Sequence, residues 1–263
     1  MMSHPVVLKV GGALLDNKEA ARLLMQHIAQ LQQERAVVLV HGGGPVVESM
    51  MNKLGLTSHK IDGLRVTPDA HMPVVCGALA GTANKQLCAL AIAGGLTPIG
   101  LSLMDGNMIH CQVMSAELGA VGLASPGSSV LLEMLISEQM LPVISSIGCD
   151  NEGRLLNINA DQAATAIAQL LGAELLLLSN VEGVLDDQGQ RLPMLNRQQL
   201  ASLVETKVIT EGMKVKTDAA LQAANELGRA VFIASWQASP QDILNANTGS
   251  QIQPDAAHAG EIS

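Results

Sequence analysis

Buried-strand patterns and helix-period patterns alternate along almost the whole chain, and few folds accept that alternation. "PVVLKV" (5–10), "AVVLVHGGG" (36–44), "TPIGLSL" (97–103), "LPVISSIG" (141–148), "ELLLLSNVEGVL" (174–185) and "AVFIAS" (230–235) are short apolar runs that read as strands. Between them, "DNKEAARLLMQHIAQLQQE" repeats Ala21, Leu24, Met25, Ile28 and Leu31 at helical spacing. "PVVESMMNKLG" opens on Pro45, suited to a first helical position, and closes on Gly55. Further helices are expected over 68–93, 128–139, 160–173, 194–205 and 213–228. "SHKIDGLRVT" reads as a hairpin turning at Asp62-Gly63, and "NMIHCQVM" suggests a second one. The expected fold is α/β: a three-layer αβα sandwich with an open, mostly parallel central sheet. A boundary near Gly172 divides lobes 1–172 and 173–263, though one sheet can cross it. The tail "NTGSQIQPDAAHAGEIS" reads as polar, its last ten residues as loose.

Composition narrows the partners. The formal net charge is −9 with no basic stretch, and the only aromatics are Phe232 and Trp236. Nucleic acid is therefore not an expected partner, lacking both electrostatic footprint and stacking platform. No uninterrupted apolar stretch of membrane-spanning length is present and no signal peptide is visible, so no membrane partner is expected and the cytoplasm is the expected location. Cys76, Cys88, Cys111 and Cys149 are widely spaced without C-x-x-C, which reads as buried free thiols and as no metal site.

Lys9 interrupts the first apolar run. It either snorkels at the strand end or faces something anionic. In open α/β sheets ligands bind at the carboxyl ends of the strands. Gly11-Gly12 follow the first strand there, and Gly42-Gly43-Gly44 follow the second. Tight turns alone would account for one glycine. Five, with Pro45 starting a helix at once, point to backbone N–H groups cradling a phosphate or carboxylate. G-x-x-x-x-G-K-[ST], G-x-G-x-x-G and the protein-kinase H-R-D set are absent. "HGGG" also resembles the oxyanion loop of esterases, but no G-x-S-x-G accompanies it, and that reading leaves Lys9 unused.

Phosphoryl transfer needs cations, amides and a group that aims the cations. Lys216 in "EGMKVK" is a second candidate cation, with Lys214 its obvious confusion; either can be an ordinary solvated helix lysine. In "NINADQAA", Asn159 can cap the following helix and Asp161 can favour its N-terminus. Alternatively, Asp161 pairs with both lysines and Asn157 binds substrate. Arg65 suits a planar carboxylate, or is a surface ion pair of little worth.

"KVGG", "HGGG", "GLRVT", "GALAGTANK", "NINADQAA", "LLLLSNVEGVL" and "EGMKVK", in this order over roughly residues 5–236, resemble the amino-acid kinase family. They resemble most its bacterial branch acting on N-acetyl-L-glutamate in arginine biosynthesis. The resemblance implies transfer of the ATP γ-phosphoryl group to the γ-carboxylate, giving N-acetyl-L-glutamyl 5-phosphate. It implies that Lys9 and Lys216 stabilise the moving group and that Asp161 organises them. Gly43, Gly44, Arg65, Asn157 and Asn159 would bind the acyl amino acid. Gly11, Gly12, Asn180, Val181, Glu182, Gly183, Val184, Leu185, Val208, Ile209 and Thr210 would hold phosphates and nucleotide. The N-terminal lobe would carry the acyl amino acid and the dimer contact, the C-terminal lobe ATP. Mg²⁺ would arrive with ATP, held mainly by phosphates and water. Asn180 departs from the family, which usually has Asp there. Only five residues precede the first strand, so the arginine-insensitive homodimer is expected, with the apolar helix near 68–93 as interface. Two alternatives remain: a kinase of acetylaminoadipate or a carrier-linked acid, where one methylene is worth about 1–3 kcal/mol of discrimination, and a non-catalytic amino-acid or nucleotide sensor.

Overall fold

Eight strands form the central sheet of the computed structural model, which describes residues 4–61 and 63–256. Their spatial order is Met194–Leu195, Ser250–Ile252, Val231–Ser235, Glu174–Ser179, Val6–Val10, Val37–His41, Leu141–Ser145, Pro98–Ser102. The last six are mutually parallel; Ser250–Ile252 runs antiparallel to Val231–Ser235 and closes that edge with Met194–Leu195. Val6–Val10 pairs with Val37–His41 on one side and Glu174–Ser179 on the other, so one sheet runs through the expected boundary near Gly172. Connections leave this strand first in one direction and later in the other. It is the topological switch point, where a crevice opens at the carboxyl ends.

Side-chain alternation assigns the layers. Val7, Val38, Val40, Leu175, Leu177 and Ile233 pack with the helices Ala160–Leu171 and Glu211–Leu227. Val6, Leu8, Leu39, Val143 and Leu176 pack with Lys18–Leu31, Asn84–Ala93 and Pro240–Leu244. This is the expected three-layer αβα sandwich. Lys9 registers with Val40 and Leu177 and so shares the face of Val7.

Several elements differ from the sequence expectation. The run over 68–93 is helical from Asp69 to Ala93, but Gly77–Ala83 is a π-helical stretch between Met72–Cys76 and Asn84–Ala93. This run is also long and apolar enough to span a membrane, with a mean hydropathy of 1.2. Here it packs on the sheet instead, burying Val75, Ala78, Leu87 and Ala91. A second sheet joins Ile109–Val113, Val121–Pro126, Leu155–Ile158 and Ile147–Cys149. Ile109–Val113 was expected and Ile147-Gly148 fell within the expected run 141–148, whereas Val121–Pro126 carries glycine and proline and Leu155–Ile158 is too short to show a period. Met194–Leu195 is strand, not helix start; Asn196 caps the helix Arg197–Glu205 through a reciprocal box with Gln199. The tail contributes Ser250–Ile252 to the sheet with Ile252 fully buried, while residues 257–263 lie outside the described part. Strands Lys60–Ile61 and Leu64–Arg65 form the expected hairpin, whose turn residue Asp62 also lies outside it. Of the four free cysteines, Cys88 and Cys111 are buried whereas Cys76 and Cys149 are half-exposed.

Candidate active site

At the carboxyl end of the first strand, Lys9 Nζ lies 2.9 Å from Asp161 Oδ1, both side chains largely sheltered. Asp161 is in the first turn of Ala160–Leu171, where the helix dipole favours a carboxylate. Asn159 is the cap: its Oδ1 accepts from the N–H groups of Asp161 (2.8 Å) and Gln162 (3.3 Å). The cap reading of "NINADQAA" is compatible with the Lys9 pairing, since the cap fixes the turn from which Asp161 reaches Lys9. Lys216, from Glu211–Leu227, lines the same cleft with Lys9, Asp161, Ser179 and Val215. Its Nζ donates to Asn180 Oδ1 at 3.5 Å rather than to Asp161, which corrects the expectation that Asp161 pairs with both lysines. Burial pulls the Lys216 pKa down, the neighbouring Lys9 charge adds to this, and Asp161 opposes it. Lys214 pairs with Asp218 at 2.5 Å on the exposed side of the helix, which resolves the confusion between the two lysines.

The two glycine turns touch. A Cβ on Gly12 would stand 2.7 Å from Gly43 Cα and 2.8 Å from Pro45 Cδ, so only glycine lets them close. No such constraint acts at Gly11, whose added Cβ would meet nothing within 4 Å. Beside them lies a cavity of about 170 Å³ lined by all five residues expected to bind the acyl amino acid: Gly43, Gly44, Arg65, Asn157 and Asn159. Lys60, Leu79 and Ser146 also line it and were not anticipated. Lys60 adds a cation from the hairpin next to Arg65; its place opposite Arg65 in a two-stranded hairpin was the available signal. Arg65 is sheltered, pairs with Glu48 at 2.7 Å, hydrogen-bonds the Ser58 hydroxyl and donates to Gly44 O at 3.5 Å. Asn157 Nδ2 donates to Thr67 Oγ1 at 3.2 Å, tying the second sheet to the hairpin.

A larger cavity, about 510 Å³, opens on the other side of the lysine cleft. Val181, Glu182, Gly183, Val184, Leu185, Val208, Ile209 and Thr210 all line it, joined by Asp186, Asp187, Gly189 and Met213. Asn180 stands outside that lining, against Lys216. The loop is pinned from the unexpected strand Ser250–Ile252. The Val184 N–H donates to Ser250 Oγ at 2.9 Å, and Gly183, at φ 146°, leaves no room for a side chain against that hydroxyl. Among the described residues no group of three His, Cys, Asp or Glu side chains could hold a metal ion.

Two cavities and, in a third cleft, Lys9 held by Asp161 beside Lys216, at the switch point of a parallel sheet, define a site built to move a small anion from one ligand to another. The family model described as "Amino acid kinase family" matches residues 4–235, and the chain belongs to that family. Its relatives include proteins named acetylglutamate kinase. The one from Vibrio vulnificus is 49% identical over 251 residues, 95% of each chain. The one from Vibrio cholerae is 50% identical over 235 residues, 89% of this chain and 90% of that one. Among solved structures, smu.665 from Streptococcus mutans superposes with a TM-score of 0.79 at 28% identity, covering 95% of this chain and 98% of that one.

Proposed function

We propose that this chain transfers the γ-phosphoryl group of ATP to the γ-carboxylate of N-acetyl-L-glutamate, forming N-acetyl-L-glutamyl 5-phosphate for arginine biosynthesis. The observation that carries the reading is the cleft shared by Lys9, Asp161 and Lys216. Asp161 follows Asn159 and Ala160 of the acyl-amino-acid cavity, and Asn180, bonded to Lys216, precedes Val181 of the nucleotide cavity. A phosphoryl group passing between two ligands needs positive charge at that junction.

The γ-carboxylate is ionised at neutral pH and attacks the γ-phosphorus without a general base. One P–O bond forms as the bond to the bridging oxygen breaks and ADP leaves. Lys9 and Lys216 neutralise charge on the equatorial and leaving oxygens, and Asp161 holds Lys9 in place. The Gly12, Gly43 and Gly44 N–H groups donate to phosphoryl oxygens. Arg65, Asn157 and Asn159 orient the acyl amino acid, and residues 181–185 with 208–210 hold the nucleotide. Gly11 precedes Gly12 at the start of the turn Gly12–Asp16. Mg²⁺ accompanies ATP; the absence of a three-ligand protein cluster among the described residues fits an ion held mainly by phosphates and water. The division of labour follows the two lobes, 1–172 and 173–263. A cytoplasmic homodimer completes the reading, its interface on Asp69–Ala93, where Ile92 is exposed.

The test is a hydroxylamine trap for acyl phosphate with ATP, Mg²⁺ and a panel of acids. Product with N-acetylglutamate and little with free glutamate is expected. Product only with acetylaminoadipate or a carrier-linked acid would reassign the substrate. Lys216→Ala should abolish turnover while keeping nucleotide binding; ligand binding without turnover in the unaltered protein would assign a sensor.

A further inference from the structure

His41, the first residue of "HGGG", lies outside the cavities described above. Its side chain is buried on the sheet face of Leu39, opposite the face of Lys9. It touches two groups: Nδ1 is 2.8 Å from Gly42 O, and Nε2 is 3.1 Å from Asn84 Nδ2. Asn84 opens the last helical segment of "GALAGTANK", and its orientation is fixed independently of the imidazole. Its Nδ2 also lies 2.8 Å from Val143 O and 3.4 Å from Leu101 O, both able only to accept, while its Oδ1 takes a bond from Lys85 Nζ at 3.1 Å. The amide nitrogen carries two protons, and its two shortest contacts, Val143 O and His41 Nε2, take them, so Nε2 accepts and is unprotonated. Nδ1 then carries the proton and donates to Gly42 O. Burial holds this imidazole neutral, its pKa down at about 4, with the Lys85 charge acting in the same direction. Gly100, on the facing strand, admits the arrangement: a Cβ there would overlap both Asn84 and Lys85.

The consequence lies one peptide further on. The Gly42–Gly43 peptide is trans, as no cis bonds occur among the described residues. Its C=O and N–H therefore point in opposite directions. With the carbonyl held by the imidazole on one side, the Gly43 N–H is turned away from it; Gly42, Gly43 and Gly44 all line the first cavity. The π-helical stretch fixes the same glycine from below, because a Cβ on Gly43 would stand 2.7 Å from Leu79 Cδ2 and 3.3 Å from Ala83 Cβ. Lengthening this helix by a wide turn is what brings Leu79, Ala83 and Asn84 to bear on a single loop.

We propose that the His41–Asn84 pair is a positioning device for the glycine loop. It locks the Gly42–Gly43 peptide so that the Gly43 N–H is presented to the transferred phosphoryl group. This rests on the kinase reading above. A loop free to turn its peptide would bind both ligands but lose the donor in the transition state, where such donors matter most.

Two substitutions separate the two ring nitrogens. In His41→Asn the side-chain amide can occupy the place of Nδ1 and keep the bond to Gly42 O. In His41→Gln the amide reaches the place of Nε2, keeping Asn84 and losing Gly42 O. We expect His41→Gln to lower kcat by about tenfold or more with both KM values within about threefold, and His41→Asn to recover most of that loss. Equal losses that follow thermal stability in both variants, or an unaltered kcat in His41→Gln, would overturn the positioning role. Should His41→Gln fail to fold, the unaltered protein decides: ¹⁵N NMR of the histidine should show protonated Nδ1 and bare Nε2 at neutral pH. An Nε2–H tautomer or an imidazolium there would refute the device. An unaltered protein that makes no acyl phosphate would instead remove the kinase reading, and the positioning proposal with it.

Discussion

The Lys9 ammonium and the Asp161 carboxylate meet at 2.9 Å, one from a strand end and the other from the start of the helix that covers the same sheet face. This explains why a lysine interrupts an apolar strand. It occupies an inward position whose charge would be costly without a partner, and the partner comes from a helix N-terminus that already favours an anion. Lys216 shares the cleft without a carboxylate of its own among the described contacts.

Asp161→Asn should therefore damage catalysis far more than folding. It leaves two ammonium groups facing each other with no counter-charge and frees Lys9 to reorient. We expect kcat to fall by about 10²–10³-fold, the scale of losing a preorganised electrostatic contact. The thermal midpoint should fall, because Lys9 loses its partner, but modestly, since the pair is partly solvated. Steady-state kinetics beside calorimetry checks this; a large drop in midpoint with kcat preserved would make the pair structural.

Gly12→Ala tests the contact between the glycine turns. The new methyl would stand 2.7 Å from Gly43 Cα and 2.8 Å from Pro45 Cδ, and neither can swing aside as a flexible side chain would. The turns must separate, with an expected loss of about 1–3 kcal/mol and a fall in kcat. Gly11→Ala is the control for stability, expected within about 0.5 kcal/mol because its methyl enters open space. Denaturant unfolding of both variants measures the difference.

The sheet and its layers were legible in the sequence because buried strands and amphipathic helices carry periods of their own. Lys9, Arg65, Asn157 and the loops 181–185 and 208–210 stood out as candidate site residues through motif order, and they line the cavities. Elements whose identity depends on distant partners were not. Ser250–Ile252 reads as polar tail, yet it inserts between Val231–Ser235 and Met194–Leu195 and supplies the hydroxyl that pins Val184. The π-helical stretch at Gly77–Ala83 leaves no periodic mark that seven residues could carry. The relation of His41 to Asn84 joins positions 43 apart that no local spacing connects. Lys216 was found, but its neighbour was not, because whether Asp161 or Asn180 takes its hydrogen bond is decided by side-chain reach.

Asn180→Asp should move the alkaline limb of the rate profile. The Lys216 pKa lies below its ordinary value of 10.5, through burial first and the Lys9 charge second. In the proposed mechanism catalysis uses the ammonium, so kcat should fall as pH rises through that lowered value, earlier than for an exposed lysine. A carboxylate in place of the Asn180 amide, 3.5 Å from Nζ, favours the ammonium and should carry the limb to higher pH. The linkage sign for stability is the opposite of a salt-bridged lysine. The unfolded chain binds this proton more tightly, so the charged form costs stability at neutral pH, and the cost lifts as pH rises between the folded and unfolded values. Lys216→Met should accordingly abolish turnover without lowering the thermal midpoint at neutral pH. A pH–rate series and melting curves test the two halves separately, and an alkaline limb unmoved in Asn180→Asp would dissociate it from Lys216.

Arg65→Lys isolates the guanidinium fork from its charge. Arg65 reaches the acyl-amino-acid cavity while anchored to Glu48 at 2.7 Å, to the Ser58 hydroxyl and to Gly44 O at 3.5 Å. A lysine keeps one charge but cannot hold the loop contacts and a substrate carboxylate at once, because its three donors share a single nitrogen. Hydrogen bonds to charged groups are worth about 1.5–3 kcal/mol, so KM for the acyl amino acid should rise by about 10–100-fold. KM for ATP should stay unchanged, since the nucleotide cavity lies across the lysine cleft, and kcat should fall only a few-fold because this binding is common to ground and transition states. Initial rates with each substrate varied in turn give all three numbers. A fall confined to kcat, with the acyl-amino-acid KM unmoved, would transfer Arg65 from holding the substrate to stabilising the phosphoryl group.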